Sequence, residues 1–391
     1  MPPASRFIWQ RTGWPRLHFD LAAASPALLR ARELKGEAHG MARAIGLAPL
    51  DEVTQELWTQ EAVATAAIEG ERLDLAAVRS SVLRRLGGDD AGPYQRHVDG
   101  LMEVIQDATQ NFDAPLDADR LCRWQSALFP GGTAGIHRIA VGRFRDHADP
   151  MQIVSGRPGK EVVHYTAPAS ADVPREMAAF LDWFAATAPG GAQAAAMDGI
   201  ARAAIAHLWF ETIHPFEDGN GRIGRAVADM ALAQDGGGPA RLYSLSRQLL
   251  EERRGYYDAL EQAQHGGTDV TAFVQWFAGT FGRACQATGR VIQASLERSR
   301  FWATQAQAGA VNDRQRKLLQ RLLTAGDGGF QGGLNVEKYL KMVDASKPTA
   351  TRDLSDLVRR GLLHTRGRGK ALRYYISVPG WTHGLDDDAA G

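Results

Sequence analysis

The chain has 391 residues, 44% of them apolar, enough to bury sizeable cores in two or three domains. Lysine plus arginine and aspartate plus glutamate balance at 45 each, so no global charge argues for nucleic acid or acidic lipid as the main partner. Two scattered cysteines, Cys122 and Cys285, exclude a disulfide framework or a thiolate zinc site and read as small buried hydrophobes. No stretch has the roughly 18 uncharged apolar residues of a membrane span, and residues 1–20 hold no apolar run of the signal-peptide kind. A soluble cytoplasmic protein with no membrane partner is expected.

The first twenty residues scatter Phe7, Trp9, Trp14 and Phe19 among Pro and Gly, the pattern of a packed irregular arm. Apolar periodicity then predicts helices over 26–45, 51–68, 73–86, 94–112 and 118–128, the third of them stopped by Gly87-Gly88. The stretch 139–168 breaks that period. Met151, Gln152, Ile153 and Val154 form one short β-type run and residues 162–165 another, flanking Ser155-Gly-Arg-Pro-Gly159, a hairpin signature. Helical spacing returns over 173–186, 196–213, 220–234, 245–264 and 271–307.

Large apolar residues thin out over 305–312, which marks a boundary. Helices are then expected at 314–325, 335–342 and 346–360, followed by two strands within 362–376 around a basic turn. Three helices and a hairpin of this kind read as a winged helix-turn-helix. Arg352, Arg359, Arg360, Arg366, Arg368, Lys370 and Arg373 gather on its third helix and hairpin, where phosphate contacts to DNA would need them. A solvated basic face on a protein-interaction module fits them equally well. The acidic stretch 384–391 is expected to be a disordered tail.

The most informative segment is His214-Pro-Phe-Glu-Asp-Gly-Asn-Gly-Arg-Ile-Gly-Arg225. Gly219 and Gly221 let the backbone turn so that successive N–H groups face one anion, and the helix that follows adds its unpaired amides and the positive end of its dipole. Arg222 and Arg225 lie three apart, on one helical face, and can grip phosphate oxygens as forks. Asp218 is a hard oxygen ligand suited to Mg²⁺ between phosphates. His214 is the side chain most easily tuned to take a proton near neutral pH. Singly, each is an ordinary turn, cap or structural histidine. In this order they point to nucleotide chemistry.

The segment fits, without departure, the pattern His-Pro-Phe-x-Asp/Glu-Gly-Asn-Gly-Arg-x-x-Arg, and over about residues 6–280 the chain resembles a Fic-domain protein, a family of adenylyltransferases that move AMP from ATP to a protein hydroxyl. The resemblance implies a mainly α fold, with a Fic-type helical core and a small β-hairpin flap, to which the C-terminal winged helix-turn-helix is added. The expected division is 1–112 for an N-terminal helical region, 113–308 for the catalytic core, 309–380 for the winged helix and 381–391 for the tail. It also implies His214 as base, Asp218 as Mg²⁺ ligand, and Gly219, Asn220 and Gly221 around the α-phosphate. Arg222 and Arg225 would take the β/γ end of ATP, and Phe216 would anchor the loop.

Beside this motif, Thr65-Ala-Ala-Ile-Glu69-Gly70 is similar to the family's inhibitory motif, in which the Glu pairs with the second motif Arg, here Arg225. Residues 151–154 resemble the flap that aligns a target segment by main-chain pairing, and Gly142-Arg-Phe-Arg145 resembles a Gly-x-x-Arg turn of the family. Tyr256 and Tyr257 are open to two readings, core packing or stacking on adenine. His207 and Trp209 read as packing residues. The expected partner is a protein with an acceptor hydroxyl. DNA at the winged helix and a second copy of the chain stay open as partners. Removal of AMP by the same site, or a transcriptional regulator with a nucleotide-sensing core, are the alternative functions. Gly221 disfavours the related kinase branch, which carries Lys there.

Overall fold

The computed structural model describes residues 6–382 except 46, 89–91, 156–159, 161, 195–196, 237–240, 308, 327–329 and 331. The chain forms two compact units, Met1–Gly289 and Arg290–Gly391. The hairpin turn expected at 155–159 falls outside the described residues after Ser155, as do the tail 384–391 and the Lys370 side chain.

In the first unit the helices are α1 (Leu21–Ala44), α2 (Leu47–Ile68), α3 (Leu75–Arg85), α4 (Arg96–Gln110), α5 (Ala118–Leu128), α6 (Val173–Ala186), α7 (Gly199–Ile213), α8 (Asn220–Gly236), α9 (Leu245–Glu251) and α10 (Arg253–His265). Helix α11 (Thr271–Gln307) carries the unit boundary within it. The expected helix 26–45 starts earlier, at Leu21, because Asp20 accepts the amides of Ala22 and Ala23, and Pro26 then lies inside the helix. The expected helix 245–264 is broken at Glu252, whose backbone leaves helical geometry (φ −103°, ψ 26°). Its carboxylate is held by Arg283 and Thr280.

Helix α7 is the axis of this unit. Every residue from Ile200 to Ile213 is buried, as a helix apolar on nearly all sides requires. Helix α8 packs along it, and α4, α5 and α2 close over α8. Helix α2 is fixed by a buried ionic cluster. Arg241 Nη2 lies 2.7 Å from Glu61 and 2.8 Å from Asp229, while Ser244 Oγ and the Ser246 amide donate to Glu61. Two small antiparallel hairpins complete the unit. The first, β1 (Thr133–Ala134) with β2 (His137–Arg138), was not expected from sequence. The second pairs β3 (Gln152–Ser155) with β4 (Val162–Thr166), with a bulge at Ile153/Val154. Cys285 is buried as expected, whereas Cys122 is only half-buried.

The second unit holds α12 (Asp313–Ala325), α13 (Val336–Leu340), α14 (Lys347–Arg359) and a hairpin of β5 (Leu363–Arg366) with β6 (Arg373–Ile376). Leu318, Leu319, Leu322, Tyr339, Leu354 and Leu357 form its core. Asp353 ties the helices together, accepting from Tyr339 Oη at 2.9 Å, Arg314 Nε at 3.0 Å and Asn312 Nδ2 at 3.1 Å. The basic array is thinner than the sequence implies. Arg352, Arg366 and Arg368 are exposed, but Arg359 and Arg360 both pair with Asp356.

Candidate active site

The segment 214–219 links α7 to α8. His214 caps α7 in the left-handed region (φ 52°, ψ 61°), the single non-glycine residue with positive φ among those described. Such a conformation persists only where its surroundings over-determine it. Here Arg145 does so: its buried guanidinium donates to the carbonyls of His214 (2.8 Å), Ile213 (3.2 Å) and Pro168 (2.6 Å), and its amide donates to Pro215 O at 2.9 Å. The Gly-x-x-Arg turn thus clamps the loop 214–219. Phe216, fully buried, anchors the same loop from below.

Asn220 braces the loop as well. Its Oδ1 accepts the Phe216 amide at 2.9 Å and its Nδ2 donates to the Phe216 carbonyl at 2.8 Å. The amide expected beside the α-phosphate is therefore spent on folding the turn. Gly219 has φ 90°, and a Cβ there would meet the ring of Phe129. The first bond closing α8 runs from the Ile223 amide to Gly219 O, so the preceding amides at the helix start lack intrahelical acceptors. Asp218 is half-exposed; its Oδ1 takes the Gly219 amide and lies 3.7 Å from Arg222 Nη2. A single solvent-facing carboxylate beside a phosphate cradle is a donor set that fits Mg²⁺, which keeps several waters and takes its remaining ligands from phosphates. Among the described residues, no three His, Cys, Asp or Glu side chains gather into an all-protein metal site.

Both motif arginines meet the end of α2. Arg225, 2% exposed, donates from Nη2 to Glu69 Oε1 at 2.7 Å and to Thr65 O at 3.1 Å, and from Nε to Thr65 Oγ1 at 2.8 Å. Arg222 Nη1 lies 3.3 Å from Glu71 Oε2, with its guanidinium over the Phe129 ring. Burial alone would raise the Glu69 carboxyl, but Arg225, helped by Arg222 and His214, holds it below its ordinary value. Gly221 is what permits this approach, since a Cβ on it would run into Glu69 Oε1. Beyond Glu69 the chain turns at Gly70 (φ 81°), and Arg253 Nη2 and Tyr257 Oη both donate to Ile68 O.

His214 is driven down to about 4, mainly by burial, with the Arg145 charge adding to it. The ring is therefore neutral at pH 7 and able to accept a proton. Sequence reading missed its neighbour. Glu211, one turn earlier on α7, is 4% exposed, and its carboxyl is raised to about 8 by burial, with Glu69 adding to the effect and Arg225 opposing it. A lone carboxylate inside the apolar run 205–213 was the signal available.

Tyr256 is corrected. Its ring is 2% exposed, stacks near Trp276 and hydrogen-bonds His207 Nε2 at 2.9 Å, so it belongs to the core and not to an adenine platform. Tyr257 is 43% exposed beside the end of α2. The flap residues Met151 and Ile153 pack on a small cluster with Phe7, Tyr165 and Ala167, and Tyr165 Oη ties this hairpin to Thr212 O at 2.7 Å. Val154 projects 47% exposed from β3, whose other edge pairs with no described strand.

Residues 115–232 match the Fic/DOC family. This stretch is similar to a Fic/DOC domain. Residues 7–87 match a second family, described as Domain of unknown function (DUF4172). Protein adenylyltransferase Fic of Nematostella vectensis is 26% identical over 253 residues, 64% of this chain and 52% of that protein. Protein adenylyltransferase fic-1 of Caenorhabditis briggsae is 30% identical over 216 residues, 55% of this chain and 38% of that protein. The chain thus spans about half or less of the length of these relatives. Among solved structures, a Fic family protein from Desulfovibrio desulfuricans G20 superposes with TM-score 0.54 at 20% identity, covering 93% of this chain and 98% of that one. Fic-1 of Caenorhabditis elegans gives 0.50 at 22% identity, covering 70% and 74%. The mainly helical Fic-type fold expected from sequence is thereby established, and the Fic/DOC domain includes α5 to most of α8, with the whole loop 214–219. No described helix is long and apolar enough to cross a membrane.

Proposed function

We propose that the chain is a protein adenylyltransferase that moves AMP from ATP to a serine, threonine or tyrosine hydroxyl, and that Glu69 restrains it by occupying Arg225. The observation that carries this reading is the convergence of a neutral His214, the open start of α8 and two arginines on one short segment of a Fic/DOC domain. The names of the relatives support it as well.

In this mechanism the acceptor oxygen attacks the α-phosphorus, the bond to the β-phosphate breaks and pyrophosphate leaves. His214 takes the acceptor's proton, and its low basicity keeps it free to do so at pH 7. The α8 amides supply preorganised donors to phosphate oxygens. Arg222 and Arg225 bind the β/γ end once their carboxylate partners withdraw, because Glu69 and a γ-phosphate compete for the same guanidinium. Asp218 would hold Mg²⁺, which when bound offsets charge on the leaving phosphates. The free edge of β3 positions the acceptor segment by backbone pairing, which demands little of its sequence.

The test is mass spectrometry of a cell lysate incubated with ATP and the Glu69→Gly protein. An AMP adduct on hydroxyl side chains, absent with Glu69→Gly/His214→Ala, is expected. Another nucleotide adduct, or none, would reject the reading. Loss of AMP from a labelled acceptor, with wild type active and Glu69→Gly inactive, would assign removal instead.

The exposed Arg352, Arg366 and Arg368 of the second unit leave DNA contact a secondary reading. Salt-sensitive, sequence-selective binding in a mobility-shift assay would support it.

A further inference from the structure

Glu211 and His214 stand on the last turn of α7 with Glu211 Oε2 3.7 Å from His214 Nδ1. Both are shielded, and among the described residues neither Glu211 Oε1 nor His214 Nδ1 completes a hydrogen bond. A buried carboxyl with one oxygen unpartnered is costly, so its persistence calls for a reason. Packing does not supply one. Glu211 forces its neighbours to make room: a Cβ on Gly224 of the facing helix would collide with Glu211 Oε1 and crowd Phe210. The backbone carbonyl of Glu211 accepts from Gln264 Nε2 at 3.3 Å and also faces the His214 ring, holding its basicity up, so carbonyl and carboxyl of one residue both stand behind that ring.

We propose that Glu211 is the positioning carboxyl of this site: it accepts Nδ1–H of His214 and so presents Nε2 as the atom that takes the acceptor's proton. The inference rests on the adenylyltransferase reading and adds a residue to it. A separation of 3.7 Å is longer than a hydrogen bond, but catalytic contacts of this kind are often long before substrate binds. A carboxylate behind an imidazole fixes its tautomer and stabilises the imidazolium formed on proton transfer. The same residue is coupled to the inhibitory contact. Glu69 from α2, Arg225 from α8, Tyr256 from α10 and Tyr165 from β4 all interact electrostatically with Glu211, alongside His214 on its own helix. Withdrawal of Glu69 removes a negative charge from beside Glu211, which favours the ionised form that accepts best.

The experiment uses the full chain in the Glu69→Gly background. Glu211→Gln is expected to lower kcat for AMP transfer about tenfold or more, with KM for ATP within about twofold. The acid limb of the kcat–pH profile, which belongs to the Glu211–His214 pair as a unit, should move, and Glu211→Asp should recover part of the rate. Unchanged kcat and an unmoved limb overturn the proposal. Should Glu69→Gly transfer no AMP at all, the ¹⁵N shifts of the His214 ring still decide. An Nδ1-protonated ring whose shifts respond to Glu211→Gln supports the assignment, and identical ring shifts in the two proteins reject it.

Discussion

Glu69 Oε1 and Arg225 Nη2 meet at 2.7 Å although 156 residues separate them in the chain. Thr65 takes Nε and shares Nη2 of the same guanidinium, so the end of α2 occupies those donors of the arginine on which the γ end of ATP would depend. Removing the carboxylate while keeping the helix should release the site. Glu69→Gly is expected to raise self-labelling from α-labelled ATP by about 5- to 150-fold, the range of ordinary coupling energies between two ligands of one site. Equal labelling of the two proteins would show that Arg225 is not limiting.

Glu71 adds a weaker restraint on the other arginine. It is more than a third exposed, and its contact with Arg222 is longer, at 3.3 Å. Exposed pairs contribute about 0–1 kcal/mol, so Glu71→Gln alone should raise labelling by no more than about fivefold and the gain should fall at high salt. A release as large as that of Glu69→Gly would reverse the ranking of the two contacts.

Helix α2 is held in place by Arg241, which neutralises Glu61 and Asp229 in the interior. Arg241→Met leaves two buried carboxyls without a counter-charge, and such losses cost about 3–5 kcal/mol. Urea unfolding should report that loss. Because the cluster anchors the helix that carries Glu69, labelling per folded molecule should rise with it.

Buried histidines and buried carboxyls bound the pH range of stability from opposite sides, and His207 and Glu211 illustrate the two. His207 is buried, held to about 4 by desolvation and bonded to Tyr256. The unfolded chain therefore takes up its proton first, and stability falls as pH drops from about 6.5 toward 4, by at most about 3 kcal/mol. Glu211, raised to about 8, works the other way: its contribution is complete below the ordinary glutamate range and is lost as pH rises through 8. Denaturant midpoints across pH should show both slopes. His207→Gln should reduce the acidic one, to which His214 also contributes, and Glu211→Gln the alkaline one.

Much of this was legible in the residue order. Helices α5 and α6 begin where their periodicity and caps place them, because Asp117 and the prolyl start of α6 act over one turn. The segment 214–225 declared its chemistry because glycines, arginines and a histidine must be adjacent in the chain to build one turn. Glu252 shows where local rules stop: nothing nearby breaks a helix there, and its carboxylate is drawn to Arg283 of α11. Tyr256 likewise reads as a helical aromatic, and only the neighbours brought in by α7 and α11 decide that its ring is core. The turn at 214–219 and the start of α8 thus follow largely from short-range backbone constraints, with Arg145, 69 residues away, holding His214 in place. Tertiary packing alone decided which carboxylates face them, since Glu69, Glu71 and the buried Glu211 gain their meaning from charges delivered by other helices, and charge coupling follows distance in space and not along the chain.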